Sequence, residues 1–142
     1  MDRKLLFLDL DGTLLNDEGI ITEGNRVALE AALARGHGVV IATGRPLSSA
    51  LDKAASLGLD KPGCYVISFN GALIYDFGRQ DQVFRCSIPK DVVRQVFDKA
   101  KSFGLHIQTY DAMDVLAEPW YDPEIMAGYC SGMDIVYRIV ED

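Results

Sequence analysis

The chain has 142 residues, 49% hydrophobic and 25% charged, enough for an ordinary domain with a true core and too apolar for a disordered chain. Its 14 basic and 21 acidic side chains leave a net charge of −7, which argues against nucleic acid or an anionic membrane as a partner; a small phosphate ester neutralised by a bound cation stays compatible. Cys64, Cys86 and Cys130 are odd in number and scattered, which reads as buried thiols in a reducing cytosol and not as a disulfide frame or a zinc site. The first apolar run, Leu5 to Leu8, is interrupted by Asp9, too early for a signal peptide, and no stretch reaches membrane-spanning length. The expected location is the cytoplasm.

Lys4 to Leu10 (KLLFLDL) is an almost wholly apolar run, the pattern of a strand buried on both faces of a parallel sheet. Asp11-Gly12 ends it with a turn. Thr22 is placed to cap a helix through Leu33, with Val27, Ala28, Ala31 and Ala34 near helical spacing and Gly36 as the stop. Gly38 to Ala42 (GVVIA) predicts a second buried strand. Pro46 fits a first helical turn, and Leu47, Leu51, Ala54 and Ala55 continue a helix closed by Gly58. Cys64 to Phe69 predicts a third strand. Strand, helix, strand, helix, strand is the order of a doubly wound α/β sheet, whose ligands sit at the carboxyl ends of the strands. Those ends are Asp9 to Asp11 and Thr43-Gly44-Arg45.

After Phe69 the pattern changes. Asn70-Gly71 is a hairpin signal between a third strand and one at Ala72 to Tyr75. A polar turn at Gly78 to Asp81 leads into a strand at Val83 to Ile88. Pro89 opens an amphipathic helix carrying Val92, Val93, Val96, Phe97, Ala100 and Phe103, ended by Gly104. Strands are expected at Leu105 to Tyr110, Val115 to Ala117 and Ile135 to Val140. The organisation expected is a partial α/β core over residues 1–80 and a small α+β unit over 81–142.

Asp9-Leu10-Asp11-Gly12-Thr13 is the most informative stretch. Two carboxylates one residue apart at a strand end converge on one pocket, and Gly12 permits the turn. Such acids repel each other unless a divalent cation joins them. With a hard cation present, one attacks phosphorus while the other, protonated, donates to the leaving oxygen; Thr13 is expected to orient the second. A D-x-D-G calcium loop shares this start, but the later acidic ligands of an EF-hand are missing. His37, just past a helix stop, and His106, in an expected strand, lack a metal-like partner. Trp120, Tyr121 and Tyr129 read as core of the second unit.

The run FLDLDGTLLN (7–16) resembles the first motif of the haloacid dehalogenase superfamily, hhhDxDGT, without a mismatch. IATGR (41–45) resembles its second motif, and SFNGALIYD (68–76) the strand-to-cap passage of the capped, Cof-like sugar-phosphatase branch. The resemblance implies a Rossmann-like core followed by part of an α+β cap. It implies an Mg2+-dependent phosphomonoester hydrolase of small phosphorylated metabolites such as sugar phosphates, working through an aspartyl-phosphate. Asp9 would be nucleophile and metal ligand. Asp11 would be general acid/base, with its carbonyl on the metal. Thr43 with the Leu10 and Gly44 amides would bind the phosphoryl group, and Arg45 and Asn70 would contact substrate at the mouth of the site.

Members of that family also carry, beyond the cap, a lysine that pairs with the nucleophile and a GDxxND motif that completes the magnesium shell. No Gly-Asp dipeptide occurs here, and the lysines all fall before or within the expected cap. The resemblance therefore implies the first half of the core with part of the cap, a truncated chain with impaired activity on its own. A catalytically inactive half-domain serving as a binding or assembly module is the second reading; a phosphomutase is the third. In the family the first strand is central. Without the later strands it becomes an edge, and self-association along that edge is expected.

Overall fold

A computed structural model of the chain describes residues 2–111 and 114–141. It divides into two compact units, Met1–Cys86 and Ser87–Asp142. In the first, a five-stranded sheet has the order β1 (Leu5–Leu8), β2 (Gly38–Ala42), β3 (Tyr65–Ser68), β4 (Leu73–Asp76), β5 (Asp81–Arg85). The pairs β1–β2 and β2–β3 are parallel; β3–β4 and β4–β5 are antiparallel. Helices α1 (Glu23–Ala34) and α2 (Leu47–Ser56) supply the crossovers, so the chain has the α/β class and the parallel core that its order of apolar runs predicts. The turn after Asp76 is tight enough for Asp81 to pair directly with Asp76. The fifth strand therefore starts two residues earlier than its apolar pattern suggests, and residues 81–85 belong to the first sheet.

Register and alternation assign the two faces of this sheet. Leu6 and Leu8 stand opposite Val39 and Ile41, Ile41 opposite Val66, and Val66 and Ser68 opposite Tyr75 and Leu73. These residues share one face. Leu8, Leu10, Val39, Ile41, Val66 and Leu73 form a single core with Leu29 and Leu33 of α1 and Leu47, Ala50 and Ala54 of α2. Both helices therefore cover the same face. The opposite face carries Leu5, Phe7, Val40, Ala42, Tyr65 and Ile67, and neither helix covers it. Val40, flanked by strands on both sides, is still buried, but Leu5 is 48% and Phe7 62% exposed. The expectation that the first strand is buried on both faces is corrected here: it is apolar on both faces, but one of them is open.

Helix α1 starts as expected, with Thr22 Oγ1 accepting the Asn25 N–H at 3.3 Å. Its inward face is different from the one expected. Leu29 and Leu33 pack into the core, whereas Val27 is exposed, because the two leucines offer more apolar area per position than the alanine row beside them.

In the second unit α3 (Lys90–Ser102) is followed by a small sheet of β6 (Thr109–Tyr110), β7 (Val115–Ala117) and β8 (Tyr137–Ile139), with β7 central. Helix α4 (Pro123–Met133), absent from the sequence reading, is capped by Asp122, whose carboxylate accepts the Glu124 and Ile125 N–H groups, and has Pro123 in its first turn. Its Met126 and Cys130 close a core with Val115, Ala117, Tyr110, Tyr121, Tyr129 and Ile135. Tyr121 and Tyr129 are core-packing, as expected; Trp120 is half-buried, with its indole N–H donated to Glu118. The strand expected at Leu105 to Tyr110 shrinks to its last two residues. Of the six apolar positions singled out on α3, only Phe97 is buried.

Candidate active site

The β1–β2 register sets Leu8 beside Ile41, so the chain leaving β1 meets the chain leaving β2. Past β1 the backbone turns around one carbonyl: the Leu10 C=O accepts the N–H groups of Leu15 (2.8 Å) and Thr13 (3.3 Å), and the Asp9 C=O accepts that of Leu14 (3.3 Å). Gly12 takes φ +73°, a conformation that side-chain-bearing residues resist. Leu10 is fully buried and anchors the turn, while Asp9 and Asp11 on either side of it are exposed. Alternation thus gives this strand end one apolar anchor between two solvent-facing acids.

Those acids differ in their surroundings. Arg45, at the end of the loop after β2, is buried and grips Asp11 with both arms of its guanidinium: Nε donates to Oδ2 at 2.9 Å and Nη2 to Oδ1 at 2.6 Å. Its Nη1 donates to Oγ of Ser49, a buried residue of α2's first turn, at 3.2 Å. This planar, two-point grip matches carboxylate geometry. The hydrogen bonds from Arg45 hold Asp11 below the usual carboxylate pKa; partial burial opposes this, and the charges of Arg45 and Lys53 reinforce it. Orienting Asp11 was expected of Thr13, but Thr13 is exposed and Arg45 does that work. Ser49 is the residue that sequence reasoning missed. Its signal was a serine one helical turn after an arginine, a spacing too common to single out.

Thr43 lies buried beside the end of β3, its N–H donated to the Ile67 C=O at 2.9 Å. Its Oγ1 accepts the Arg45 N–H at 3.2 Å, which leaves the hydroxyl proton available for another acceptor. Ser68, on the neighbouring strand, has its hydroxyl fully buried and without a partner among the described residues. The exit from β3 is pinned to the same loop: the Phe69 N–H donates to the Arg45 C=O at 3.1 Å, and the Asn70 N–H to the Thr43 C=O at 3.2 Å. Phe69 and Asn70 take positive φ, 50° and 55°. Gly44 fits beneath them because a Cβ there would lie 2.9 Å from Asn70 Oδ1. The structure therefore gathers Asp9, Leu10, Asp11, Thr43, Gly44, Arg45 and Asn70 at adjoining strand ends.

Neither histidine joins them. His37 Nδ1 accepts the Lys4 N–H at 3.3 Å, and His106 Nδ1 accepts the Asp122 N–H at 3.1 Å. Among the described residues no group of three or more His, Cys, Asp or Glu is placed to hold a metal ion. The Asp9 carboxylate and the Asp11 carbonyl are hard oxygen donors, a set that suits magnesium, which keeps several waters and needs few protein ligands. Cys64, Cys86 and Cys130 are all free; Cys64 and Cys130 are buried as expected, but Cys86, just past the end of β5, is exposed. Among the described residues no helix is long and apolar enough to cross a membrane.

Fold and site define an α/β protein whose strand-end carboxylate pair is set against a Thr-Gly-Arg loop. The family model for haloacid dehalogenase-like hydrolases matches residues 6–132, and the chain belongs to that family. It is 35% identical over 112 residues to the putative phosphatase YxeH of Bacillus subtilis, which covers 79% of this chain and 42% of the relative. It is 31% identical over 130 residues to the 5-amino-6-(5-phospho-D-ribitylamino)uracil phosphatase YitU of the same organism, covering 88% of this chain and 46% of the relative. A crystal structure of a haloacid dehalogenase-like hydrolase from Bacteroides thetaiotaomicron superposes with a TM-score of 0.88 at 29% identity, over 99% of this chain and 53% of that one. The chain thus spans about half the length of the curated relatives it matches.

Proposed function

We propose that this chain carries the nucleophile half of a phosphomonoester hydrolase site that acts on small phosphorylated metabolites. The observation that carries the reading is the difference between the two acids: Asp9 is exposed and, among the described residues, its carboxylate has no cationic partner, whereas Asp11 is clamped by Arg45. One acid is open to attack phosphorus, and the other is oriented for proton transfer.

In this reading an Asp9 oxygen attacks phosphorus, the ester P–O bond breaks, and the leaving alkoxide takes a proton from Asp11; water, deprotonated by Asp11, then releases phosphate from the aspartyl-phosphate. The Thr43 hydroxyl and the Leu10 and Gly44 amides donate to the phosphoryl oxygens. Arg45 is poised to exchange one bidentate partner for another, passing from the Asp11 carboxylate to the phosphate and freeing Asp11 to accept a proton. Asn70 sits against Gly44 at the mouth of this cradle and contacts the substrate. Magnesium, held by the Asp9 carboxylate and the Asp11 carbonyl, would supply positive charge to offset that of the phosphate.

In this reading the first unit, Met1–Cys86, serves as the core and the second, Ser87–Asp142, as part of the α+β cap, with the boundary six residues later than the sequence pattern suggests because β5 stays in the first sheet. A polyol or sugar phosphate fits the similarity to a phosphatase named for a phosphoribityl substrate. The acid-rich chain suits a small, metal-neutralised ester better than nucleic acid or membrane, and its free thiols suit the cytoplasm.

The test is Asp9→Asn, isosteric but unable to attack. The variant should keep the circular dichroism of the parent and lose turnover of p-nitrophenyl phosphate with magnesium. Acid-quenched samples should show, by intact mass, a phosphorylated parent and an unphosphorylated variant, a readout that needs only the first half-reaction. Retained turnover or labelling in Asp9→Asn removes Asp9 from the mechanism.

A further inference from the structure

We propose that Ser68 is a positioning residue for the phosphate cradle: its hydroxyl donates to Thr43 Oγ1 when an anion is bound, and so commits the Thr43 proton to that anion. This rests on the reading of Thr43 as a phosphoryl ligand. The Ser68 side chain is wholly enclosed, and its hydroxyl oxygen has no hydrogen-bond partner among the described residues. A hydroxyl buried in that state gives up its bonds to water and gains none in return. Alanine would fill nearly the same volume without that loss, so the hydroxyl calls for a role outside packing.

The sheet sets the two hydroxyls side by side. The β2–β3 register pairs Ile41 with Val66 and Ala42 with Ile67. The Thr43 N–H donates to the Ile67 C=O at 2.9 Å, which continues this parallel ladder by one step and sets Thr43 opposite Ser68. Neighbouring strands lie about 4.8 Å apart, and opposite residues project to the same face. Both side chains therefore belong to the face of Ile41 and Val66, which α2 covers. Thr43 is 6% and Ser68 0% exposed. Ser68 has a neighbour on each side, Thr43 on one and Leu73 of β4 on the other, so its burial owes nothing to an edge of the sheet.

Hydrogen-bond valences single out the recipient. A threonine hydroxyl has two acceptor sites and one proton. One site of Thr43 Oγ1 takes the Arg45 N–H at 3.2 Å; the second is open to the Ser68 proton. With both filled, the Thr43 proton is left for a third partner, the phosphoryl oxygen. The pull comes from the anion: a hydroxyl that donates to negative charge becomes a better acceptor, so the Ser68 bond tightens as phosphate binds. Ser49, the other buried serine, accepts from the Arg45 side chain instead, on the branch that holds Asp11.

The test is calorimetric titration of the 142-residue chain with inorganic phosphate in the presence of magnesium, beside thermal melts without phosphate. Thr43→Val, which removes the donor, should weaken binding about tenfold. Ser68→Ala should weaken it about fivefold, the worth of one neutral hydrogen bond, yet melt at or above the parent temperature. Ser68→Cys, a weaker donor of similar size, should bind between Ser68→Ala and the parent. In the Thr43→Val background Ser68→Ala should cost no further affinity. A parent that binds no phosphate, or a Thr43→Val variant that binds as the parent does, removes the phosphoryl role of Thr43 and the role of Ser68 with it. If Thr43→Val weakens binding but Ser68→Ala does not, if the double variant is additive, or if Ser68→Ala loses stability along with affinity, the Ser68 proposal alone is overturned.

Discussion

The two faces of the first sheet are built from the same strands with alternating residues, yet they end in different states. On one face Leu10, Val39, Ile41 and Val66 are sealed beneath α1 and α2; on the other Leu5 and Phe7 meet solvent. Both faces are equally apolar in sequence. Hydrophobic alternation therefore reports what a strand can bury, while the covering elements decide what it does bury.

The strongest way to break this contrast is to shorten one side chain on each face. Ile41→Ala should cost about 2–5 kcal/mol, because the site is enclosed and collapses poorly. Phe7→Ala should cost about 1 kcal/mol or less, since most of the ring is already wet. Urea unfolding at low protein concentration measures both, and equal losses would mean that the open face is covered in solution.

At the strand ends the contrast becomes one of packing against charge. Gly44→Ala should cost about 1–2 kcal/mol, the new Cβ pressing on Asn70 Oδ1. Asn70→Gly on the same chain should restore most of that loss, because it removes the opposing oxygen and keeps the left-handed backbone. Thermal melts of the single and double variants decide it; an additive double would place the strain elsewhere.

The smallest effect belongs to the solvent-facing acid. Arg45 lowers the Asp11 pKa, so the ionised form favours the fold. The contribution is complete above the ordinary carboxylate pKa and is lost as pH falls through the lowered one. The parent should exceed Asp11→Asn in stability by about 1 kcal/mol or less at neutral pH, because the Asp11 side chain is 53% exposed and screened. The two unfolding curves should converge in acid, and a gap that widened there would reverse the sign of the linkage.

Much of the first unit was legible. Runs of Val, Ile and Leu bounded by Asp-Gly, Gly and Pro located β1 to β3 and both helices, since buried parallel strands and capped helices leave strong local marks. The DxDGT and TGR stretches marked the candidate site, because polar clusters at the carboxyl ends of adjacent parallel strands are brought together by the sheet itself. Three features were hidden. The Arg45–Asp11 grip joins residues 34 apart in sequence, a distance over which local pattern is silent. The inward face of α1 depended on which of two plausible rows met the sheet. Helix α4 was obscured by Gly128 and Gly132 and by an apolar distribution lacking a clear stripe.

Phe69 and Asn70 hold consecutive left-handed conformations of the kind that cost roughly 1–3 kcal/mol for each non-glycine residue. Their amides are tied to the carbonyls of Arg45 and Thr43, in the loop whose arginine clamps Asp11. The hairpin and the loop are thus coupled like a catch and its spring. If the loop shifts, it loses two hydrogen bonds and the hairpin relaxes, so part of the cost of opening is returned at once. A shift at the end of β2 that keeps these two bonds has to carry the start of the hairpin with it.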